Sequence, residues 1–301
     1  MYNKFISSLE LCSASAIAGS SVVVGKLITG SLPVFLSQSL SLAFALLILI
    51  PVCFATDKKF YIIKKRDLCI LFLQALSGMF LFRVFIMYGL KYTTAVESGI
   101  ITSTTPAIVA VLSFAFLREN IARYKILGVL ITTIGVLAIN SVNIVNFSAK
   151  GLYPLLGNLL VLFAVTGEAL LTILRKMTSK TVSSLSGTTF VTLFAFILFL
   201  PISLIEIRYV DFLLIDYKHW SYIVYYGIVV TSLAYILWFR GVSKVPASTA
   251  AIYTGFMPVS SVILSYIILR ESFLWVHMLG VIFIVSGIIT ISFFARRELS
   301  N

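Results

Sequence analysis

Apolar residues are grouped along this chain in blocks of about twenty, separated by short polar segments. A helix of about twenty apolar residues is long enough to cross the hydrocarbon core of a lipid bilayer. The pattern predicts ten membrane-spanning helices, near residues 9–29, 33–54, 68–90, 94–117, 123–141, 151–174, 184–206, 219–240, 245–269 and 274–295. These spans leave no length for a separate soluble domain, so we expect an all-α membrane protein.

The composition agrees with this pattern and gives an orientation. Of the 301 residues, 60% are hydrophobic and 11% are charged, which is too little charged surface for a soluble domain of this size. The net charge is +12; with a cytoplasmic N-terminus, sixteen Lys and Arg residues lie on the inner side and six on the outer side. This asymmetry predicts a multi-pass protein of the inner (cytoplasmic) membrane with both termini in the cytoplasm. It also explains the basic charge without a nucleic-acid partner.

The cysteines give no sign of a disulfide or a metal site. Cys12, Cys53 and Cys69 fall at predicted cytoplasmic ends of spans, where thiols stay reduced. No metal-ligand spacing and no phosphate-binding loop are present in the sequence. We therefore expect no cofactor, no metal and no direct use of ATP.

One tetrapeptide occurs twice in nearly the same form: LREN at residues 117–120 and LRES at residues 269–272. A shift of 152 residues aligns further positions, namely Gly89 with Gly241, Ala95 with Ala247, Thr102 with Thr254, Pro106 with Pro258, Gly128 with Gly280 and Gly135 with Gly287. Earlier in the chain, FALLILIP at 44–51 corresponds to FAFILFLP at 194–201. We interpret the chain as two halves of five helices each, residues 1–147 and 148–301.

The odd number of helices in each half predicts that the halves are inverted. Each helix of the second half should cross the membrane in the opposite direction to its counterpart. Inverted repeats are common in carriers that rock two halves around a central site. The alternative is a duplication that serves helix packing alone. We expect two inverted five-helix repeats around a central cavity, with alternating access.

Two long motifs carry a family resemblance. The segment GLKYTTAVESGIITSTTPAIVAVLSFAFLRE at 89–119 and its partner GVSKVPASTAAIYTGFMPVSSVILSYIILRE at 241–271 are each followed by two spaced glycines. Together they resemble the EamA family of the drug/metabolite transporter superfamily, over essentially the whole chain. The resemblance implies a ten-helix carrier with a central cavity, in a family that includes exporters of amino acids and related metabolites. Some relatives import their substrate, so it does not imply a direction.

Pro106 and Pro258 lie near the middle of predicted spans four and nine. A proline in a helix releases the carbonyl four residues earlier, which here belongs to Thr102 and Thr254. A released carbonyl needs a protein or water partner within the membrane, so these kinks should face the interior. We predict that the prolines are hinges and that Ser98, Thr102 and Thr254 bind substrate; tight packing of small residues is the alternative.

Three charged residues lie within predicted spans, where an unpaired charge costs at least a few kcal/mol. Arg83 and Glu97 are on neighbouring antiparallel spans near the predicted outer side, and they form either part of a substrate site or a structural ion pair. Glu168 lies seven residues before Arg175. It either binds a substrate ammonium or a proton, or extends to cytoplasmic water. Arg175 is interpreted as a basic anchor that reaches to the interface.

Aromatic and acidic residues near span ends complete the candidates. Tyr235 and Tyr253 are predicted on the cavity wall, with ordinary packing as the alternative. Glu119 and Glu271, from the repeated tetrapeptide, are interpreted as clamps at helix corners, where a carboxylate complements the dipole of the next helix. A gating role is the alternative for this pair.

The sequence thus predicts a secondary active transporter for a small metabolite, an amino acid or a related zwitterionic or cationic compound. Protons are the candidate coupling ion, and the protein is a monomer or a homodimer in the lipid bilayer. Export is favoured over uptake and over efflux of cationic drugs. An integral membrane enzyme is the remote alternative, because the only histidines, His219 and His277, have no acidic cluster beside them.

Overall fold

The computed structural model describes residues 2–29, 32–57, 63–92, 101–102, 104–119, 122–141, 154–210, 215–268 and 275–297. Within these ranges the regular structure is helical, and no strand is formed. The expectation of an all-α protein is therefore confirmed for the described part of the chain.

Besides residues 101–102, which are also helical, the described residues of the first part of the chain form six α-helices. They are α1 (Tyr2–Thr29), α2 (Val34–Thr56), α3 (Lys65–Ala75), α4 (Phe82–Tyr92), α5 (Thr105–Leu117) and α6 (Arg123–Ser141). A π-helical segment, Leu76–Leu81, joins α3 directly to α4. α3, this segment and α4 therefore make one continuous span.

Seven α-helices follow in the described residues of the second part. They are α7 (Pro154–Met177), α8 (Ser184–Glu206), α9 (Tyr217–Tyr225), α10 (Ala234–Lys244), α11 (Ala247–Tyr253), α12 (Phe256–Ile268) and α13 (Trp275–Arg297). A second π-helical segment, Tyr226–Leu233, joins α9 to α10. Ser183 caps α8, since its side-chain oxygen accepts a hydrogen bond from the backbone N–H of Ser186.

Seven helical stretches of the described residues are long and apolar enough to cross a membrane. They are Ile6–Gly25, Val34–Thr56, Lys65–Gly89, Leu155–Met177, Ser184–Tyr209, Tyr217–Lys244 and Ala247–Ile268, and two shorter apolar helices are Thr105–Leu117 and Met278–Thr290. Residues 94–100 and 103, which belong to predicted span four, lie outside the described residues. The total of ten spans therefore stays a prediction.

The outer surface of the bundle is covered by large apolar side chains. Phe114 on α5 is 61% exposed and Leu155 on α7 is 76% exposed, and many similar residues surround them. An apolar surface of this extent is unfavourable in water but suits the acyl chains of a bilayer. This surface is therefore the one expected of a multi-pass protein in a lipid bilayer.

Helices from the two parts of the chain pack against each other throughout the bundle. The main contacts join α2 to α8, α4 to α7, α6 to α13, and α1 to both α10 and α12. At one end, Glu10 of α1 forms ion pairs with Arg240 and Lys244 of α10, and we call this end the N-terminal face. At the opposite end, the far face, Glu206 accepts a hydrogen bond of 2.8 Å from the backbone N–H of Leu36.

Candidate substrate-binding cavity

A cavity of about 290 Å³ lies between the helices in the middle of the bundle. Its wall is built by α1, α2, α4, α5, α7, α10, α12 and both π-helical segments, together with the turn before α12. The wall side chains with polar or charged chemistry include Gln38, Arg83, Glu168, Tyr226 and Tyr235. Both parts of the chain therefore contribute to one cavity.

The cavity extends to the far face and stops before the N-terminal face. Val34, the first residue of α2, and Met87, near the end of α4, line the part that approaches the far face. Toward the N-terminal face, the wall ends at Thr172 of α7 and Trp238 of α10. These residues lie about one and a half helical turns before their helices end. Among the described residues, the cavity therefore reaches the ends of the helices at the far face and is closed off before the N-terminal face.

Arg83 of α4 is positioned by side chains from two other spans. Its guanidinium donates a hydrogen bond to the side-chain oxygen of Gln38 on α2, and its Cζ lies 5.4 Å from the ring centre of Tyr226. An amide and an aromatic ring hold the guanidinium but do not neutralise it. Glu97, the partner that the sequence suggested for Arg83, lies outside the described residues.

Glu168 of α7 lies on the wall of the same cavity. It is brought there by a close approach of α7 to the first π-helical segment, because a Cβ at Gly167 would collide with the carbonyl oxygen of Ser77. Among the described residues, the ion pairs of Glu10 lie at the N-terminal face, and none involves Glu168. A carboxylate on the cavity wall without an ionic partner can bind a cationic group or a proton.

Tyr235 of α10 adjoins both charged residues. It lines the same cavity as Arg83 and Glu168, and its ring lies 6.0 Å from the ring of Phe239, at a steep angle. Phe82 and Trp238 add further aromatic surface to the wall. Within the part of the chain that the structure describes, the cavity thus combines one cation, one carboxylate and an aromatic lining.

The two prolines lie where helices begin anew. α5 begins at Thr105, with Pro106 as its second residue, and α12 begins two residues before Pro258. The carbonyl of Thr102 accepts a hydrogen bond of 2.7 Å from the hydroxyl of Thr105. Thr105 and Thr254 line the cavity, whereas Thr102 is not among the wall residues. The hinge role of both prolines stays a prediction.

Tyr253 is not on the wall. It is 3% exposed, and its hydroxyl forms a hydrogen bond of 2.7 Å with the hydroxyl of Ser8 on α1. It packs with Leu11 of α1 and Val242 of α10 near the N-terminal face. The prediction that Tyr253 lines the cavity therefore has no support in the structure. Ser98, another predicted binding residue, lies outside the described residues.

Glu119 caps a helix, but not the next one along the chain. Its two carboxylate oxygens accept hydrogen bonds from the backbone N–H groups of Ala247 (2.8 Å) and Ser248 (3.2 Å) at the start of α11, and from the Ser248 hydroxyl (2.9 Å). Arg118 has a φ of 51°, in the left-handed region, and this turn ends α5 and redirects the chain before Glu119. The sequence suggested that Glu119 acts on the next helix, α6. The helix that it caps is instead α11. Glu271 lies outside the described residues.

Sequence reasoning missed Gln38 and misplaced Arg175. Gln38 is a polar residue inside a predicted span, and that property was the available signal. Arg175 was interpreted as an interfacial anchor, but it is only 6% exposed and its Cζ lies 4.9 Å from the ring centre of Phe239. It is covered because α10 packs over the end of α7.

Known proteins similar to this chain are transporters by name. The family model described as the EamA-like transporter family matches residues 6–141 and 155–293. Uncharacterized transporter YetK of Bacillus subtilis (strain 168) is 44% identical over 280 residues, which is 93% of this chain and 84% of that protein. Uncharacterized transporter YoaV of the same organism is 23% identical over 296 residues, which is 96% of this chain and 98% of that protein.

A solved structure, described only as a crystal structure of protein, has the same fold. Its TM-score is 0.81 at 17% sequence identity, and the match covers 97% of this chain and 98% of that chain. At this identity the match is informative about the fold alone.

Proposed function

The chain belongs to the EamA-like transporter family, and we propose that it is a secondary active carrier for a small zwitterionic metabolite such as an amino acid. The substrate binds in the central cavity, and the two halves, residues 1–147 and 148–301, expose that cavity alternately to each face. The N-terminal face is cytoplasmic in this proposal, as the distribution of basic residues favours. Export is the favoured direction.

The observation that carries the proposal is the pair of opposite charges on one wall. Arg83 presents a guanidinium that neutral partners hold in place, and Glu168 presents a carboxylate that forms no ion pair with any described residue. A guanidinium matches the geometry of a substrate carboxylate, and a carboxylate binds a substrate ammonium. A volume of about 290 Å³ is close to the lower end of ligand pockets, which suits a molecule of amino-acid size.

Reciprocal glycine contacts support the inverted repeat. A Cβ on Gly135 would lie 2.7 Å from the carbonyl oxygen of Gly280, and a Cβ on Gly287 would lie 2.9 Å from that of Gly128. In the aligned halves, Gly128 corresponds to Gly280 and Gly135 to Gly287. When each glycine is replaced by its counterpart, the contact between Gly135 and Gly280 becomes the contact between Gly287 and Gly128. Such an exchange is the signature of a two-fold axis, here between α6 and α13.

The packing of α4 on α7 and of α10 on α1 supports the same relation. A Cβ on Gly89 would meet the side chain of Val161 at 2.7 Å, and a Cβ on Gly241 would meet that of Leu11 at 2.6 Å. Gly89 and Gly241 are counterparts in the repeat. Small residues thus permit close helix contact at both positions, as is common between membrane helices.

The two π-helical segments offer places at which the halves can bend. Leu76–Leu81 and Tyr226–Leu233 begin at corresponding positions of the two halves, and each contributes to the cavity wall. A π-helical segment interrupts the regular hydrogen bonding of a helix and is frequent at functional sites. A rocking motion can therefore be absorbed next to the bound substrate.

The aromatic lining favours one second candidate, a carrier for cationic compounds. Phe82, Tyr226, Tyr235 and Trp238 line the same cavity as Glu168, and aromatic faces attract cations. Arg83 is evidence against this alternative, because its positive charge on the wall repels a purely cationic substrate. The same transport assay can separate the two candidates.

The test uses the purified protein in proteoliposomes with a uniformly ¹⁴C-labelled mixture of the standard L-amino acids, with and without a pH gradient. We expect exchange of label by the wild type and a loss of about tenfold or more in Glu168→Gln, since the variant cannot form the charged contact with an ammonium. Asp216→Asn is the matched control, because Asp216 is an exposed carboxylate at the start of α9.

Three outcomes would change the proposal. If the wild type exchanges no amino acid but does exchange a labelled quaternary amine, the cationic candidate replaces it. If Glu168→Gln transports as well as the wild type, the carboxylate is not part of the substrate site. If a pH gradient drives the wild type and not Glu168→Gln, Glu168 also carries the coupling proton.

A further inference from the structure

Arg175 is a buried cation whose hydrogen-bonding capacity is largely unused. Its Nε and Nη1 atoms are shielded from solvent and have no hydrogen-bond partner. Its Nη2 lies 3.4 Å from the carbonyl oxygen of Val182 and 3.4 Å from the hydroxyl of Ser184. Both distances are beyond the usual range for N–H···O hydrogen bonds. A charged group in this condition is costly unless another state of the protein gives it a partner.

The surroundings of Arg175 provide no counter-charge in this state. The ring of Phe239 lies on one side of the guanidinium, and Gly187 of α8 lies so close that a Cβ there would be 2.9 Å from Nη1. The ion pairs formed by the described residues join Glu10 to α10, and Arg175 takes part in none of them. The carboxylate of Asp57, the acid that reaches the start of α8, is bound to the hydroxyls of Ser183 and Ser186.

Arg175 lies directly beneath the closed end of the cavity. Leu171 and Thr172 line the cavity and precede Arg175 by one helical turn on the same side of α7. Trp238, which lines the cavity on α10, precedes Phe239, whose ring covers the guanidinium. A separation of α7 and α10 at the N-terminal face would therefore join Arg175 to the cavity.

The arrangement at the other end of the cavity is closely similar. Arg83 contacts the ring of Tyr226, and Arg175 contacts the ring of Phe239, and both rings belong to the span that contains α10. Arg83 is on the wall of the open cavity, whereas Arg175 is behind the closed end. Glu168 lies two turns from Arg175 on the same face of α7.

We propose that Arg175 is a second binding site for the anionic group of the transported solute, occupied when the cavity is open to the N-terminal face. This inference rests on the proposed transport function. In the state seen here, the substrate carboxylate binds Arg83 and the ammonium binds Glu168. When the N-terminal face opens, Arg175 becomes part of the wall and takes the carboxylate, while Glu168 keeps the ammonium. The substrate then turns about Glu168 as the carrier changes state.

The test compares substrate affinity at the two faces. Right-side-out and inside-out membrane vesicles from cells that produce the protein are supplied with the ¹⁴C-labelled mixture of L-amino acids, with vesicles from cells lacking it as the blank. For Arg175→Met we expect the half-saturation concentration at the N-terminal face to rise about tenfold or more, since charge-assisted hydrogen bonds are lost there. At the far face it should stay within about twofold, because Arg175 is not on that wall.

Two further variants separate binding from structure. Arg175→Lys keeps the charge but not the planar fork of donors, so we expect an intermediate rise at the N-terminal face. Lys180→Gln removes an exposed charge five residues further along the chain and should leave both faces unchanged. An unchanged half-saturation concentration of Arg175→Met at the far face also shows that this variant has folded.

A measurement on the wild type covers the case in which the variants do not fold. p-Hydroxyphenylglyoxal, which modifies accessible arginines, is added to the N-terminal face, and the peptide containing Arg175 is analysed by mass spectrometry. We expect Arg175 to be modified and the amino acid mixture to protect it. Absence of modification, or modification without protection, overturns the inference.

The failure of this inference is distinguishable from the failure of the transport proposal. If wild-type vesicles take up no label, the proposed function is wrong and the site at Arg175 falls with it. If the wild type transports and Arg175→Met changes both faces equally or neither face, only the role of Arg175 is overturned.

Discussion

At the N-terminal face, carboxylates from the first part of the chain bind the second part, whereas at the far face the cavity wall extends to the surface. Glu119 binds the start of α11, and Asp67 accepts hydrogen bonds from the backbone N–H and the hydroxyl of Ser179. Asp57 binds the hydroxyls at the start of α8. The contact of Glu206 with α2 is the described counterpart at the far face, where the cavity is nevertheless open.

This difference indicates how closure can be both firm and reversible. Each contact at the N-terminal face joins a carboxylate to hydrogen-bond donors of the other part, and water can replace those donors when the face opens. A net value of about 1–3 kcal/mol for a hydrogen bond to a charged group is enough to favour closure without preventing opening. Two states of a carrier need to differ by only a few kcal/mol.

Loss of Asp67 should have the largest effect on this face. Asp67 is 1% exposed, and its carboxylate is bound by Ser179 at 2.7 to 3.0 Å. In Asp67→Ala the N–H of Ser179 loses its partner, so we expect a loss of about 3 kcal/mol in the free energy of unfolding. A lower midpoint of thermal unfolding in detergent checks this, with Asp216→Asn as the exposed control. A midpoint equal to that of the wild type would show that the contact does not hold the face closed.

Loss of the charge on Glu119 should have a smaller effect on stability but a specific effect on access. In Glu119→Gln the side chain keeps one acceptor oxygen for the start of α11, so we expect a loss of about 1 kcal/mol. The equilibrium should shift toward opening at the N-terminal face. The measurement is labelling of Thr172→Cys by an impermeant maleimide added to that face, with Cys12, Cys53 and Cys69 replaced by Ser.

Glu206→Gln is the matched variant for this comparison. Glu206 also caps a helix of the other part, but it does so at the face where the cavity is already open. We therefore expect faster labelling of Thr172→Cys with Glu119→Gln and no increase with Glu206→Gln. Equal labelling in both variants would mean that the caps stabilise the fold without controlling access.

The cost of charge within a membrane was a sound guide to part of the site. Arg83 and Glu168 were found from that cost alone, and the structure brings both to one cavity. Gln38 was missed because an uncharged amide costs less, and its role appears only when α2 and α4 are packed. The helical character of the chain followed from the apolar blocks, since their length matches a bilayer.

Distance from a helix end proved a poor guide to exposure. Arg175 lies two residues before the end of α7 and is buried, because α8 and α10 cover it. Glu119 lies just after α5 and binds a helix of the other part of the chain. Neither property can be obtained from local sequence, because both depend on contacts between helices that are distant along the chain.

The ion pairs of Glu10 should have the smallest effect. Glu10 contacts Arg240 at 3.0 Å and Lys244 at 2.7 Å, and the two basic side chains are 53% and 39% exposed. Exposed partners are screened by water and salt, so Glu10→Gln should lower the free energy of unfolding by about 0.5 kcal/mol. The difference from the wild type should disappear at about 1 M salt, where charges are screened within about 3 Å. Thermal unfolding across a salt series provides the measurement. A difference that persists at high salt would place Glu10 with the buried contacts of this face, because screening then fails to reach the pair.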